Sequence, residues 1–442
     1  MTNNFKNKTV SVAGIGISNK PLIDYLLKQG AVITARDMKS REKLGDITAE
    51  LENKGIKLVC GENYLDDITD EYIFRSPGLK FDKPGLLKAV AGGSILTSEM
   101  ELFFDLCPAK IIGITGSNGK TTTTTLISEF IKKQYGKVYV GGNIGTPLLP
   151  LVDEMTESDY AVVELSSFQL QTMRKSPDIA VVTNLSPNHL DYHLDMEEYA
   201  DAKKNILRYQ KAGNRLVLNS ALDFTDEAQS GVELIMFNDT NGFYDTDGKI
   251  YYKNEFIMNT SDIFVPGHHN IENFMSAIAA TYGFIANDII TETARTFKGV
   301  EHRIEFVREL NGIKFYNNSA DSSPSRCSAA LDAFNQKVII ICGGYDKQIP
   351  FDSLAQPLCE KAKIVVLTGA TAPKIKDALI NCGEDLPLII EEPDFDNAVI
   401  KAYEKAQDGD IVLLSPACAS FDAFLNFAVR GQKFKDIVNN LK

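Results

Sequence analysis

At 442 residues, 44% of them hydrophobic and 24% charged, the chain has the make-up of an ordinary globular protein of two to four domains, not that of a fibrous or disordered one. Its formal net charge of −13 argues against non-specific nucleic-acid binding, so a polyanionic ligand must be held by local basic groups and helix ends. The seven cysteines form no CxxC pair, which predicts a reducing cytoplasm and buried thiols. Met1 to Lys8 is polar and the apolar run after it is short, so no signal peptide is expected. No stretch approaches the roughly 18 apolar residues of a membrane span.

Thr9 to Ile17 reads as a strand ending in Gly14-x-Gly16. A helix is expected from about Lys20 to Gln29, then a strand from Ala31 to Ala35 ending at Arg36-Asp37. This resembles the opening of a nucleotide-binding fold, but Asn19 stands where the third glycine of GxGxxG belongs. An NAD site is therefore disfavoured. The loop from Ile15 to Asn19, with Gly16, Ile17 and Ser18, is read as holding the phosphate of a nucleotide or nucleotide-sugar; the alternative is a purely structural turn. Tyr72 to Leu79 is a strand running into Ser76-Pro77-Gly78, at the strand end where ligands of open α/β sheets gather. A first boundary falls near Leu106 to Ala109.

Ile111 to Ile114 is an apolar strand, followed by a glycine turn and an apolar-periodic helix through Leu126, Ile127, Phe130 and Ile131. The run Gly116-Ser117-Asn118-Gly119-Lys120-Thr121 is a variant phosphate loop, because Ile114 stands where the general pattern has its first glycine. Backbone N–H groups and the helix N-terminus would face the anion, Lys120 adds a charge, and the Thr121 hydroxyl can ligate Mg²⁺. Lys137 to Val140 is a strand before a glycine-rich run that can bring Asn143 to a ligand. Tyr160 to Leu165 is a strand carrying Glu164 at its exit, either a Mg²⁺ ligand or a carboxylate favoured by a helix dipole. Ile179 to Asn184 is a strand running into a loop with His189, a candidate metal ligand or catalytic group, and His193. The helix from Met196 carries adjacent Lys203 and Lys204, of which only one can face the phosphate loop.

A small antiparallel excursion is expected between Gly242 and Ile257. Pro266 opens an Ala-rich helix whose Asn and His residues are read as a base or ribose contact; the alternative is a cap. After Val300 to Phe306 the β-α alternation resumes, which predicts a further doubly wound sheet whose strand-end loops carry Lys347 and Ser420.

Taken together, GITGSNGKTT, GGNIGTPL, VVELSSFQL, NHLDYH, PGHHNIEN, EHRIE and LSPACASFDAF resemble the Mur ligase family, over essentially the whole chain. The resemblance implies an α/β protein of three domains. Residues 1–106 would be a Rossmann-like domain for the UDP substrate. Residues 107–303 would be a P-loop ATPase-like domain for ATP, and residues 304–442 a Rossmann-like domain for the incoming amino acid. It implies a cytoplasmic, monomeric, ATP- and Mg²⁺-dependent ligase that joins D-glutamate to UDP-N-acetylmuramoyl-L-alanine. Another amino-acid ligase of the superfamily, of the folylpolyglutamate type, is the near alternative. A nucleotide-binding regulatory or redox protein using Gly14-x-Gly16 is the distant one.

The resemblance assigns ATP to Gly116, Ser117, Asn118, Gly119, Lys120, Thr121, Thr122, Asn273 and Arg303. It assigns metal to Thr121, Glu164, His189 and Lys203, the last resembling a carbamylated lysine, and catalysis to Lys120, His189 and Lys203. The UDP substrate falls to Ile15, Gly16, Ile17, Ser18, Asp37, Ser76, Pro77, Gly78 and Asn143, and D-glutamate to Lys347, Ser420 and Phe427. One segment departs: Asn317 to Ser325 reads NNSADSSPS where the family often has D-S-K-A-T-N, so Ser319, Asp321 and Ser322 are expected to replace some of its contacts.

Overall fold

The computed structural model describes residues 5–16, 19–189, 192–383 and 385–442. The expectations for Ile17 and Ser18 lie outside the described residues.

Three sheets carry the fold. The first has five parallel strands in the spatial order Lys57–Cys60, Val32–Asp37, Thr9–Ala13, Tyr72–Arg75 and Ile95–Thr97. Val10 and Val12 are buried, and the helix Asn19–Lys28 turns Leu22, Ile23 and Leu26 inward. The chain order reverses around Thr9–Ala13, which puts the Gly14 and Ser76 loops side by side at the switch point of the sheet.

The second sheet has nine strands. From Glu233–Phe237 the neighbours are Arg215–Asn219, Ile179–Val182, Lys110–Thr115, Tyr160–Glu164 and Tyr139–Gly142, all parallel. The expected excursion forms Phe243–Thr246, Lys249–Tyr252 and Glu255–Asn259, and it extends this same sheet. The third sheet runs Glu305–Leu310, Ile313–Asn317, Ile411–Leu414, Val338–Cys342, Ala362–Leu367 and Leu388–Glu391, parallel except for its first pair.

The chain divides into two compact units, Met1–Met258 with Asn273–Ile290, and Asn259–Glu272 with Thr291–Lys442. The first unit holds two sheets over one continuous core, from Phe5, Val12 and Leu26 to Leu149, Val163 and Leu218. The helix Glu99–Leu106 leads from the first sheet into the strand Lys110–Thr115. In the second unit Ile340, Val365 and Leu413 face one side of the sheet, while Ile339, Val366 and Val412 face the other.

Candidate functional site

The phosphate loop is built by close approach. Gly116 has φ +149°, and a Cβ there would meet Thr183 Oγ1 at 1.9 Å. Gly119 has φ +78° at the helix start, and a Cβ there would meet Asn273 Oδ1 at 2.3 Å. Side chains at either glycine would push the loop off its supports. The strand-end segment that starts at Thr183 holds the loop from below. The Ser117 N–H donates to Asn184 O at 2.9 Å, the Asn118 N–H to Asn184 Oδ1 at 2.9 Å, and the Thr183 hydroxyl to Asn118 O at 2.6 Å. Lys120 opens the helix Lys120–Tyr135 and folds back, its Nζ 2.9 Å from Gly116 O and 3.0 Å from Ser117 O.

Beside the lysine is a corner of hard oxygens. The Thr121 hydroxyl donates to Glu164 Oε2 at 2.7 Å, and the Asn143 amide donates to Glu164 Oε1 at 2.8 Å. Asn143 is therefore brought to Glu164, at the end of the strand Tyr160–Glu164. Among the described residues no group of three or more His, Cys, Asp or Glu is placed to cage a metal. The donor set present, one carboxylate and one hydroxyl beside a phosphate loop, suits Mg²⁺, which keeps most of its coordination for phosphate oxygens and water.

Lys203, 1% exposed, reaches the same loop from the helix Met196–Arg208. Its Nζ lies 2.8 Å from Gly116 O and 4.6 Å from the Tyr199 ring centroid. Burial pushes its pKa well down, and the charge of Lys120 pushes the same way against the opposing pull of Glu164. Lys204 points elsewhere, 3.4 Å from Glu227.

His189 is exposed, has φ +57°, and sets its ring edge-on to Phe168 with centroids 4.9 Å apart. His193 is instead buried, stacked parallel to Phe168, with Nε2 3.0 Å from Ser167 Oγ. Burial lowers its pKa against the pull of Glu198.

In the first sheet, a Cβ at Gly14 would meet Ser76 Oγ at 2.4 Å, so the loop packs against the Ser76-Pro77-Gly78 turn. The Ile15 N–H donates to Asp37 Oδ2 at 2.8 Å, and the Asn19 amide donates to Gly14 O at 2.8 Å. The residue in place of the third glycine thus closes the turn with its own side chain.

The second compact unit contains Arg303, Lys347, Ser420 and Phe427. Arg303 is exposed, and its N–H donates to Val300 O at 2.9 Å. The Tyr345 N–H donates to Ala419 O at 2.9 Å, which draws the Lys347 and Ser420 loops together at the ends of neighbouring strands. Lys347 is exposed, Ser420 is 2% exposed and Phe427 is half-exposed.

In the divergent segment the three side chains expected to make contacts differ in exposure, Ser322 being half-buried. Ser319 and Asp321 are buried. Ser319 Oγ accepts from Arg430 Nε at 3.0 Å and donates to Phe427 O at 2.8 Å, while Asp321 Oδ2 accepts from the Ser415 hydroxyl at 2.7 Å. Burial raises the Asp321 carboxyl to about 6. Asp321 thus holds the Ser415 to Ser420 loop, through the Ser415 hydroxyl and the Ala417 N–H, while Ser319 ties Phe427 and Arg430.

Sequence reasoning missed Tyr199, whose hydroxyl lies 3.1 Å from Ser117 Oγ, and Arg75, a fully buried arginine at the Ser76-Pro77-Gly78 turn. A charged residue closing the apolar strand YIFR was the available signal for Arg75.

Comparison with known proteins gives the following. Residues 114–281 match the Mur ligase middle domain, and residues 302–418 match the Mur ligase glutamate ligase domain. The chain is 49% identical to a UDP-N-acetylmuramoylalanine–D-glutamate ligase of Clostridium novyi, over 99% of this chain and 97% of that one. It is also 49% identical to the ligase of the same name from Acetivibrio thermocellus, with the same coverage. Among solved structures it is similar to UDP-N-acetylmuramate-alanine ligase MurC from Thermotoga maritima, with TM-score 0.58, 17% identity, and 99% and 100% of the two chains covered. That last likeness concerns the fold alone.

Proposed function

Because the chain belongs to the Mur ligase family, we propose that it is an ATP-dependent ligase that joins D-glutamate to UDP-N-acetylmuramoyl-L-alanine during peptidoglycan precursor synthesis. The supporting geometry is the phosphate loop, where two amines converge on the Gly116 carbonyl beside the Thr121–Glu164 pair. We assign the UDP part to the first sheet, ATP to the second and D-glutamate to the third.

A carboxylate acylates poorly, so the reaction needs activation. The alanyl carboxylate attacks the γ-phosphorus of ATP, giving an acyl phosphate and ADP. The D-glutamate amine then attacks the acyl carbon, loses a proton and expels phosphate as the amide forms. The first step asks for positioning and charge neutralisation more than covalent help. The N–H groups of the loop and Lys120 would grip the β- and γ-phosphates, and Asn273 backs the loop at Gly119. Thr121 and Glu164 would hold Mg²⁺, with His189 and a carbamylated Lys203 as its further partners. When bound, the metal would neutralise phosphate charge as a Lewis acid. Lys347 would pair with a carboxylate of D-glutamate.

No described helix is long and apolar enough to cross a membrane. We place the enzyme in the cytoplasm, acting as a monomer. The test is ADP and phosphate release by the whole protein. Release should require both UDP-N-acetylmuramoyl-L-alanine and D-glutamate, and a panel of other amino acids should fail. Equal turnover with another amino acid would favour a different ligase of the superfamily, and an absorbance change of NAD(P)H would favour a redox protein.

A further inference from the structure

Arg75 closes the strand Tyr72–Arg75, directly before the Ser76-Pro77-Gly78 turn, and it is 1% exposed. Its guanidinium makes no ion pair at bonding distance among the described residues; the Glu101 carboxylate attracts it from further off, and the Tyr192 phenol lies against it. It spends its donors on neutral oxygens in two places. One terminal nitrogen donates to Pro77 O at 3.1 Å, within the turn, and to Leu79 O at 2.6 Å, just beyond it. The other donates to Phe168 O at 2.9 Å and Thr172 Oγ1 at 3.0 Å, in the segment that follows Glu164. Burial lowers its pKa. A buried cation whose hydrogen bonds go to neutral acceptors, whose Nε is left without one and whose carboxylate neighbour acts only at longer range, is a costly way to join two pieces of chain; apolar residues of the same volume would do so more cheaply.

What the guanidinium joins is specific. On one side is the Ser76-Pro77-Gly78 turn, which packs against Gly14 in the first loop cluster. On the other is Phe168, whose ring carries His189, Tyr192 and His193 at centroid distances of 4.9, 4.4 and 5.7 Å. An arginine offers two terminal nitrogens, one to each set of acceptors, which the single nitrogen of a lysine cannot do.

We propose that Arg75 is a positioning residue that holds the UDP-substrate turn in register with the Phe168–His189 wall of the ATP site. This rests on the assignment of UDP-N-acetylmuramoyl-L-alanine to the first sheet made above. Seating of the UDP substrate and of the reacting carboxylate then depends on Arg75, while the affinity for ATP comes chiefly from the phosphate loop between Gly116 and Thr121.

The test is steady-state kinetics of the full chain carrying Arg75→Lys or Arg75→Met, with thermal melts alongside. Lysine keeps the charge without the fork, and methionine keeps the stem without the charge. Both variants should raise KM for UDP-N-acetylmuramoyl-L-alanine about tenfold or more, the scale of losing charge-assisted hydrogen bonds, with KM for ATP within about twofold of wild type. A role confined to stability predicts a lower melting temperature with all three KM values unchanged, and that result overturns the inference. So does a parallel rise in every KM. If Arg75→Lys does not fold, Arg75→Met decides alone, and if neither folds, Thr172→Val, which removes one acceptor at nearly constant volume, should show the same split on a smaller scale. Wild-type protein that does not turn over the UDP substrate would instead sink the functional assignment, a separate failure from an unchanged variant.

Discussion

The two glycine loops of the first unit share a geometry and differ in charge. Each leaves a parallel strand through a glycine with positive φ, Gly14 at +90° and Gly116 at +149°, packed against a hydroxyl of the neighbouring strand end. The carbonyl of that glycine is capped differently. Gly14 O accepts from the neutral Asn19 amide, and the next N–H in the loop goes to the Asp37 carboxylate. Gly116 O accepts from Lys120 and from Lys203. The turn therefore does not set the ligand. The first loop has its Ile15 N–H taken by a carboxylate, which leaves one donor fewer for the phosphate expected there. The second has two amines and suits a polyphosphate.

The largest expected effect comes from removing the cation that separates the loops. Lys120→Ala should cost about 3–4 kcal/mol of transition-state stabilisation, a few hundredfold in kcat. Circular dichroism should show an unchanged fold. A folded variant with near-normal turnover would dissolve the contrast. Next comes the buried amine. Lys203→Ala should lose most activity, on the order of a hundredfold. Acetate should restore part of it if Lys203 works as a carbamate, a carboxylate made from the neutral amine and CO₂ with release of a proton. Lys204→Ala, on the outer face of the helix, should stay within about twofold of wild type. Full activity of Lys203→Ala would remove it from the site.

The first loop is tested by what it binds. With the phosphate loop filled by a non-hydrolysable ATP analogue, calorimetry should detect UDP binding, and Asp37→Ala should weaken it about tenfold through loss of a charged acceptor. NAD binding without a UDP signal would reverse the reading of Asn19.

The β-α alternation was legible because the central strands of parallel sheets are continuous apolar runs, such as IAVV before Asn184 and VIIIC before Gly343. Lys57–Cys60, Ile95–Thr97, Glu305–Leu310 and Leu388–Glu391 were not read as strands. They lie at sheet edges, where half-exposed positions blur the pattern. Glycines and lysines of the phosphate loop announced themselves by spacing. Arg75, Tyr199 and the Asp321–Ser415 pair did not, because their partners are remote in sequence and only packing brings them together. The same holds for Asn19: its absence of glycine was visible, but the use of its amide to close the loop was not.

The third sheet offers a smaller cationic loop. Lys347 is exposed on a loop tied to the Ser420 segment through Tyr345 and Ala419. Lys347→Ala should raise KM for D-glutamate about tenfold and leave that for ATP nearly unchanged, since an exposed ion pair is worth only about one to two kcal/mol even when a ligand completes it. An equal effect on both would place the amino-acid pocket elsewhere.

The smallest effect is also the one that isolates the cost of the second loop's charge. Lys203 is almost wholly buried, donates to Gly116 O and faces the like charge of Lys120. Its folded pKa is depressed, so below the ordinary lysine value of about 10.4 the unfolded chain binds the proton more readily than the folded one. The resulting loss of stability grows as pH falls below the ordinary lysine value and fades as pH rises toward it. Lys203→Met keeps the stem and discards the charge. Like Lys203→Ala, it should lose most turnover, and yet raise the melting temperature at pH 7 by about 2–4 °C, the shift expected for roughly 1 kcal/mol in a domain of a few hundred residues. The advantage should shrink when the melts are repeated near pH 10. Wild-type protein carrying a carbamate would show a smaller advantage in carbonate buffer than in CO₂-free buffer, because the modified side chain no longer opposes Lys120. A Met variant that melts lower than wild type at pH 7 would mean that the amine's bond to Gly116 outweighs its burial, and the second loop would then be held together by the charge it was thought to tolerate.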